Sequence, residues 1–170
     1  MLDPYLFARY VDCGRGEVVG GVREFDCWGL AMAIREELLG LPPLPDAGVI
    51  SRHRLRESAK SYLVYADLLP EGPAIPGALA AVMSGELCTH VGVVLELDGM
   101  LAVAEINPKS GFRWLRIADF ERTYYRVKYH ADRDIREQVC GRACGALRNP
   151  RAYDAGGLAA GECAELSTSQ

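Results

Sequence analysis

The sequence predicts an α+β fold, with N-terminal helices packed on an antiparallel β-sheet. Three observations carry this. Helix-type apolar periodicity belongs to the first half, where Leu30, Ile34 and Leu38 recur at i, i+4 and i+8. From Gly77 onward, short runs rich in Val and Leu alternate with turn residues. Asp98-Gly99, between His90–Leu97 and Met100–Asn107, is a strong two-residue hairpin signal.

Each element follows in order. Residues 4–12 read as a short helix, with Pro4 at its start and Gly14 after its end. Residues 13–25 read as a glycine-rich loop. The next helix spans about 27–39, with Asp26 as its N-cap, Arg35, Glu36 and Glu37 directed away from the apolar face, and Gly40 at C′ before Pro42-Pro43. A second helix is expected over 51–67, capped by Ser51, and a loop over Pro70–Pro76. Strands follow over 78–83, 90–97, 100–107 and 112–117. A linking turn over 118–122 leads to a last strand over 124–130. This makes 1–131 one domain. Residues 132–170 add a helix to about Leu147, with Cys140 and Cys144 packed on one face, and a loosely held Gly-, Ala- and Ser-rich tail.

Composition narrows the function. The chain has 170 residues, 49% of them apolar, enough for one domain with a sizeable core. A net charge of −4 with scattered basic residues argues against nucleic-acid binding. The cluster Arg52, Arg54, Arg56 and Lys60 reads as a solvated helix face. No apolar run reaches the ~20 residues of a membrane span. The start, Met1-Leu2-Asp3-Pro4, has no basic or apolar leader, which predicts synthesis in the cytoplasm without a signal peptide. The six cysteines form no CxxC pairs with matching ligands, so neither structural zinc nor a disulfide framework is expected.

The chemistry centres on Phe25-Asp26-Cys27-Trp28-Gly29-Leu30. A cysteine where a loop becomes a helix meets unpaired N–H groups and the positive end of the helix dipole, and both favour a thiolate. Gly29 would leave the first turn open to a substrate, with Asp26 and Trp28 beside it. Of His53, His90 and His130, His90 opens a rigid strand and suits a general base, whereas the other two read as surface residues. If Asp98-Gly99 is a two-residue turn, Leu97 pairs with Met100, and Gly92 and His90 fall opposite Glu105 and Asn107. His90, Glu105 and Asn107 then share one face, so either Glu105 or Asn107 could fix the His90 tautomer.

Gly20-Gly21, a spacer and Asp26-Cys27-Trp28-Gly29-Leu30 resemble the cysteine motif of the NlpC/P60 superfamily of papain-like cysteine peptidases. Pro76-Gly77, an apolar strand and Thr89-His90-Val91-Gly92-Val93-Val94 resemble its histidine motif. Together they span roughly residues 5–130. The resemblance implies a papain-like fold, with Cys27 as nucleophile, His90 as base and Glu105 as third member, Asn107 being the alternative. It implies hydrolysis of stem peptides of bacterial peptidoglycan without metal or organic cofactor. Versions without signal peptides look most like tail-associated proteins of bacteriophages and prophages, whose partners are other tail proteins. Three positions depart from the pattern. Arg15-Gly16-Glu17-Val18-Val19 stands where a Pro-Tyr pair is common, Ala78 follows Pro76-Gly77 where Asp is common, and the usual third histidine is absent. Two other readings fit the same motifs: a non-hydrolytic tail assembly component, and a cysteine-dependent acyl transferase or esterase.

Overall fold

The computed structural model describes residues 1–46 and 55–132. The expected cap Ser51, His53, the helix after Asp132 with Cys140 and Cys144, and the tail with Cys163 lie outside the described residues. Within them the architecture is α+β, with helices on an antiparallel sheet.

The N-terminal segment departs from expectation. Only Asp3–Tyr5 is helical, as a single 3₁₀ turn, and the chain then extends into β1 (Arg9–Tyr10). The expected loop is a hairpin, β2 (Arg15–Val19) and β3 (Val22–Phe25). Gly20 and Gly21 both have positive φ, as a type I′ turn requires, and β-branched Val18, Val19 and Val22 flank them. β1 pairs in parallel with β3, so the small sheet runs β1-β3-β2. Tyr10 lies opposite Phe25 there, and this pairing replaces the expected helix.

β3 delivers the chain into α1 (Cys27–Ala33), which continues as a π turn over Ile34–Leu38 and stops at Gly40, with φ near +63°. The π turn alters the side-chain register expected for an unbroken helix. Arg35, expected on the outer face, is only 1% exposed. It donates to the Gly77 carbonyl and pairs with Asp132 at 2.6 Å. A second helix, α2 (Leu55–Leu68), precedes the sheet strands.

The main sheet has β4 (Leu79–Ser84), β5 (Leu87–Leu97), β6 (Met100–Asn107), β7 (Gly111–Arg116) and β8 (Val127–His130), in the order β7-β6-β5-β4-β8, antiparallel throughout. The segment expected as a linking turn is α3 (Ile117–Tyr124). Phe120 and Tyr124, four residues apart, face the sheet, while Asp119 and Arg122 pair outward. One sheet face carries Leu79, Ala81, Val91, Val93 and Leu95 against Trp28, Leu30 and Ile34 of α1. The other carries Ala80, Val82, Val94 and Val103 against Phe120. No helix among the described residues is long and apolar enough to cross a membrane.

The Arg35–Asp132 pair ties the end of the described chain to α1. Truncating Asp132 leaves a buried guanidinium without its anion, so Asp132→Ala is expected to cost about 1–3 kcal/mol. A lower urea midpoint with an unchanged slope is the measurement that checks it.

Candidate active site

Asp26 caps α1 as expected. Its carboxylate accepts the Gly29 N–H at 2.7 Å and lies 2.7 Å from the Arg15 guanidinium, which also reaches Asp46 at 3.2 Å. The residues expected beside a substrate are engaged inside the fold. Trp28 is buried, with its ring stacked 3.6 Å from that of Tyr65. Gly29 leaves no open turn, because a Cβ there would sit 2.1 Å from the Gly14 carbonyl oxygen. The glycine is required by the close passage of the β2 approach across the helix.

Cys27 is buried at the first position of α1, and its sulfur receives the backbone N–H groups of Val91 and Trp28. The Val91 nitrogen belongs to the peptide that joins it to His90, so the sulfur lies one peptide unit from the histidine backbone. The helix start does not win the electrostatic contest. Burial pushes the Cys27 thiol far above its ordinary range, and the neighbouring Asp26 carboxylate adds to the rise. The two N–H groups oppose it incompletely. This reverses the expected direction for a helix-start cysteine, because loss of solvent exceeds the dipole effect.

The hairpin register is the one the sequence predicts. Leu97 pairs with Met100, and the ladder runs to Val93 opposite Ala104. Asp98 and Gly99 both have positive φ. Continuing the alternation puts His90 and Glu105 on the α3 side of the sheet, and their side chains meet: His90 Nε2 lies 2.6 Å from Glu105 Oε2. Gly92 lets β6 pass this close, because a Cβ there would clash with Val103 and the Ala104 carbonyl. Asn107 makes no part of this contact. Its carbonyl accepts the Lys109 and Ser110 N–H groups at 3.0 Å, and its amide donates to Ser110. It is an Asx turn residue that shapes the β6–β7 connection.

Glu105 is fully buried and has two further partners. Arg113 Nε donates to Oε1 and the Tyr124 hydroxyl donates to Oε2, each at 2.6 Å. Burial alone would raise its pKa, but the His90, Tyr124 and Arg113 donors outweigh burial and hold it below its ordinary value. The carboxylate is therefore an acceptor for three donors. That assigns a proton to His90 Nε2, so the lone pair of the neutral imidazole would sit on Nδ1.

Sequence reasoning missed Arg113 and Tyr124. Arg113 was within reach: carrying the hairpin argument through the 108–110 loop pairs Glu105 with Arg113 directly, as the ladder has it. Tyr124 carried no comparable signal, since α3 read as a turn. His130 is buried rather than at the surface, donating from Nδ1 to the Leu69 carbonyl at 2.8 Å with Nε2 3.1 Å from Tyr62. Among the described residues no group of three or more His, Cys, Asp or Glu could hold a metal ion. No protein-family model and no curated protein sequence matches the chain.

Two pH effects follow. Asp26→Asn removes a negative charge beside the sulfur while keeping an N-cap residue. Alkylation of Cys27 by iodoacetamide should then set in at lower pH than in the wild type, by roughly half a unit or more. Peptide mapping against exposed Cys13 reads this out. Glu105, with its pKa depressed on folding, contributes stability that is present above the ordinary value of 4.5 and lost as pH falls through the folded value. Denaturant midpoints measured from pH 6 downward should fall less steeply in Glu105→Gln than in the wild type.

Proposed function

We propose that the chain is a cysteine peptidase of the NlpC/P60 kind, hydrolysing stem peptides of bacterial peptidoglycan, and that it works as part of a phage or prophage tail. The observation that carries the reading is the meeting of His90 with a buried Glu105 carboxylate, on a strand whose next backbone amide, that of Val91, meets the sulfur of a helix-start cysteine. A solvated strand glutamate would not be buried against a histidine, and a core histidine has no need of a carboxylate held by two other donors.

In this reading Cys27 is a neutral thiol at rest. Catalysis then requires His90 Nδ1 to reach the sulfur and accept its proton as it attacks the scissile carbonyl, with Glu105 stabilising the imidazolium that forms. Backbone N–H groups at the start of α1 would stabilise the developing oxyanion. His90 then protonates the leaving amine, and water, deprotonated by His90, resolves the thioester. The upward-shifted thiol means that the thiolate forms together with the imidazolium and has no lasting population before it. Arg15, locked between Asp26 and Asp46, occupies the neighbourhood that the family's tyrosine would line, and this favours a substrate contact of different chemistry at that point.

A second reading is a non-hydrolytic tail component, and the buried, neutral Cys27 favours it. A zymogram on purified cell wall separates the two. The wild type should clear the wall. Cys27→Ala and His90→Ala should lose at least a hundredfold in rate, Glu105→Ala tenfold or more, and Glu105→Gln less than Glu105→Ala. His130→Ala tests stability through Tyr62 and Leu69 and should leave the chemistry intact in whatever fraction folds. No clearing by folded wild-type protein on walls of several peptide types would leave the structural reading standing.

A further inference from the structure

Arg113 and Tyr124 have no place in the motifs, yet both hold the carboxylate that holds His90. Their geometry is specific. Tyr124 donates to Oε2, the same oxygen that His90 Nε2 meets, and its ring lies 5.4 Å from the imidazole and 4.8 Å from Phe120. Arg113 takes Oε1, on the far side of the carboxylate from the imidazole. β7 is an edge strand, and the Arg113 side chain is about one-third exposed, so its charge stays solvated while its Nε–H reaches the buried oxygen.

A buried glutamate beside a histidine favours the imidazolium, because the cation offsets a buried negative charge. That pull favours a proton on both ring nitrogens, and a doubly protonated ring has no lone pair for a thiol proton. A permanent cation on Oε1 weakens that pull. With Arg113 present, Glu105 has a cationic partner besides His90, and its pull on a second imidazole proton is weaker. We propose that Arg113 and Tyr124 are positioning residues for the reaction. Arg113 acts as a counter-charge that keeps His90 neutral and able to accept a proton, and Tyr124 as the second donor that holds Oε2 in line with Nε2.

This rests on the peptidase reading for its purpose, but its electrostatics stand without it. The groups that bear on His90 are Glu105 from β6, Tyr124 from α3, Arg113 from β7 through Glu105, Cys27 from α1 at the Val91 peptide, and Cys88 of β5, whose thiol lies 3.4 Å from the His90 carbonyl oxygen. β4 offers the uncharged Val82 opposite it.

The test is the titration of His90 by nuclear magnetic resonance on the full chain, with its signal assigned by loss in His90→Gln. Arg113→Met should move the His90 midpoint upward by roughly 0.5–1 unit at low salt, and by less at high salt. Arg113→Lys, restoring a cation, should return most of it. Tyr124→Phe, which keeps the ring packing, should shift it upward by a smaller amount. In activity, Arg113→Met should push the acidic limb of the kcat/KM profile to higher pH with KM little changed, and Arg113→Lys should rescue it. Should the methionine variant not fold, Arg113→Gln carries the same expectation. A His90 midpoint that stays put or falls in a folded, uncharged Arg113 variant overturns the proposal, whatever the activity. An upward shift in a chain that clears no cell wall supports the charge role of Arg113 and sinks only the peptidase reading.

Discussion

The register of the β5–β6 hairpin is the constraint on which the site depends. A two-residue turn with positive φ at Asp98 and Gly99 fixes Leu97 opposite Met100, and every pair back to Val93 and Ala104 follows. A slip of one residue would turn Glu105 into the face that packs on α1 and turn Ile106 out toward α3. The apolar face of β6 and its one buried carboxylate are thus specified by the same turn. Packing of Ala104 and Ile106 with the α1-side core enforces the register that brings Glu105 to His90.

That coupling explains what could be read in the sequence. The strands from Leu79 to Asn107 and the Glu105–His90 contact were legible because period-two alternation and a strong turn signal are local and compound along the chain. The start of α1 was legible because Asp26, Cys27 and the following apolar spacing carry a capping signature. The N-terminal region was not. Gly20-Gly21 between Val18-Val19 and Val22 is a hairpin signal as good as Asp98-Gly99, but the glycine-rich surroundings read as loop. The pairing of Tyr10 with Phe25 is parallel and set by tertiary contact. Arg35 was assigned outward because an unbroken 3.6-residue period was assumed, and a π turn has no sequence mark that distinguishes it from an α-helix.

The site also sets two electrostatic demands against each other. Cys27 gains a helix start and two N–H donors but loses solvent and gains Asp26, and burial prevails. Glu105 loses solvent as well, yet three donors reverse the outcome. The difference is the number and charge of hydrogen-bond partners. Two neutral amides cannot offset burial of a thiolate, whereas a guanidinium, a phenol and an imidazole together hold a buried carboxylate ionised. Negative charge in the folded protein is held on the carboxylate and not on the sulfur.

Gly29 has a consequence for how such chains are found. The Gly14 carbonyl fills the space a side chain at position 29 would need, and Asp26 both caps the helix and neutralises Arg15. Two residues of the Asp-Cys-Trp-Gly signature therefore answer to packing and charge balance, whatever the sulfur does. A chain whose cysteine does no chemistry would be under the same pressure to keep both. Pattern searches seeded on this signature would gather inert scaffolds alongside enzymes, and the discriminating positions would be those with no structural duty outside the site: the glutamate beneath the histidine and the arginine across the strand from it.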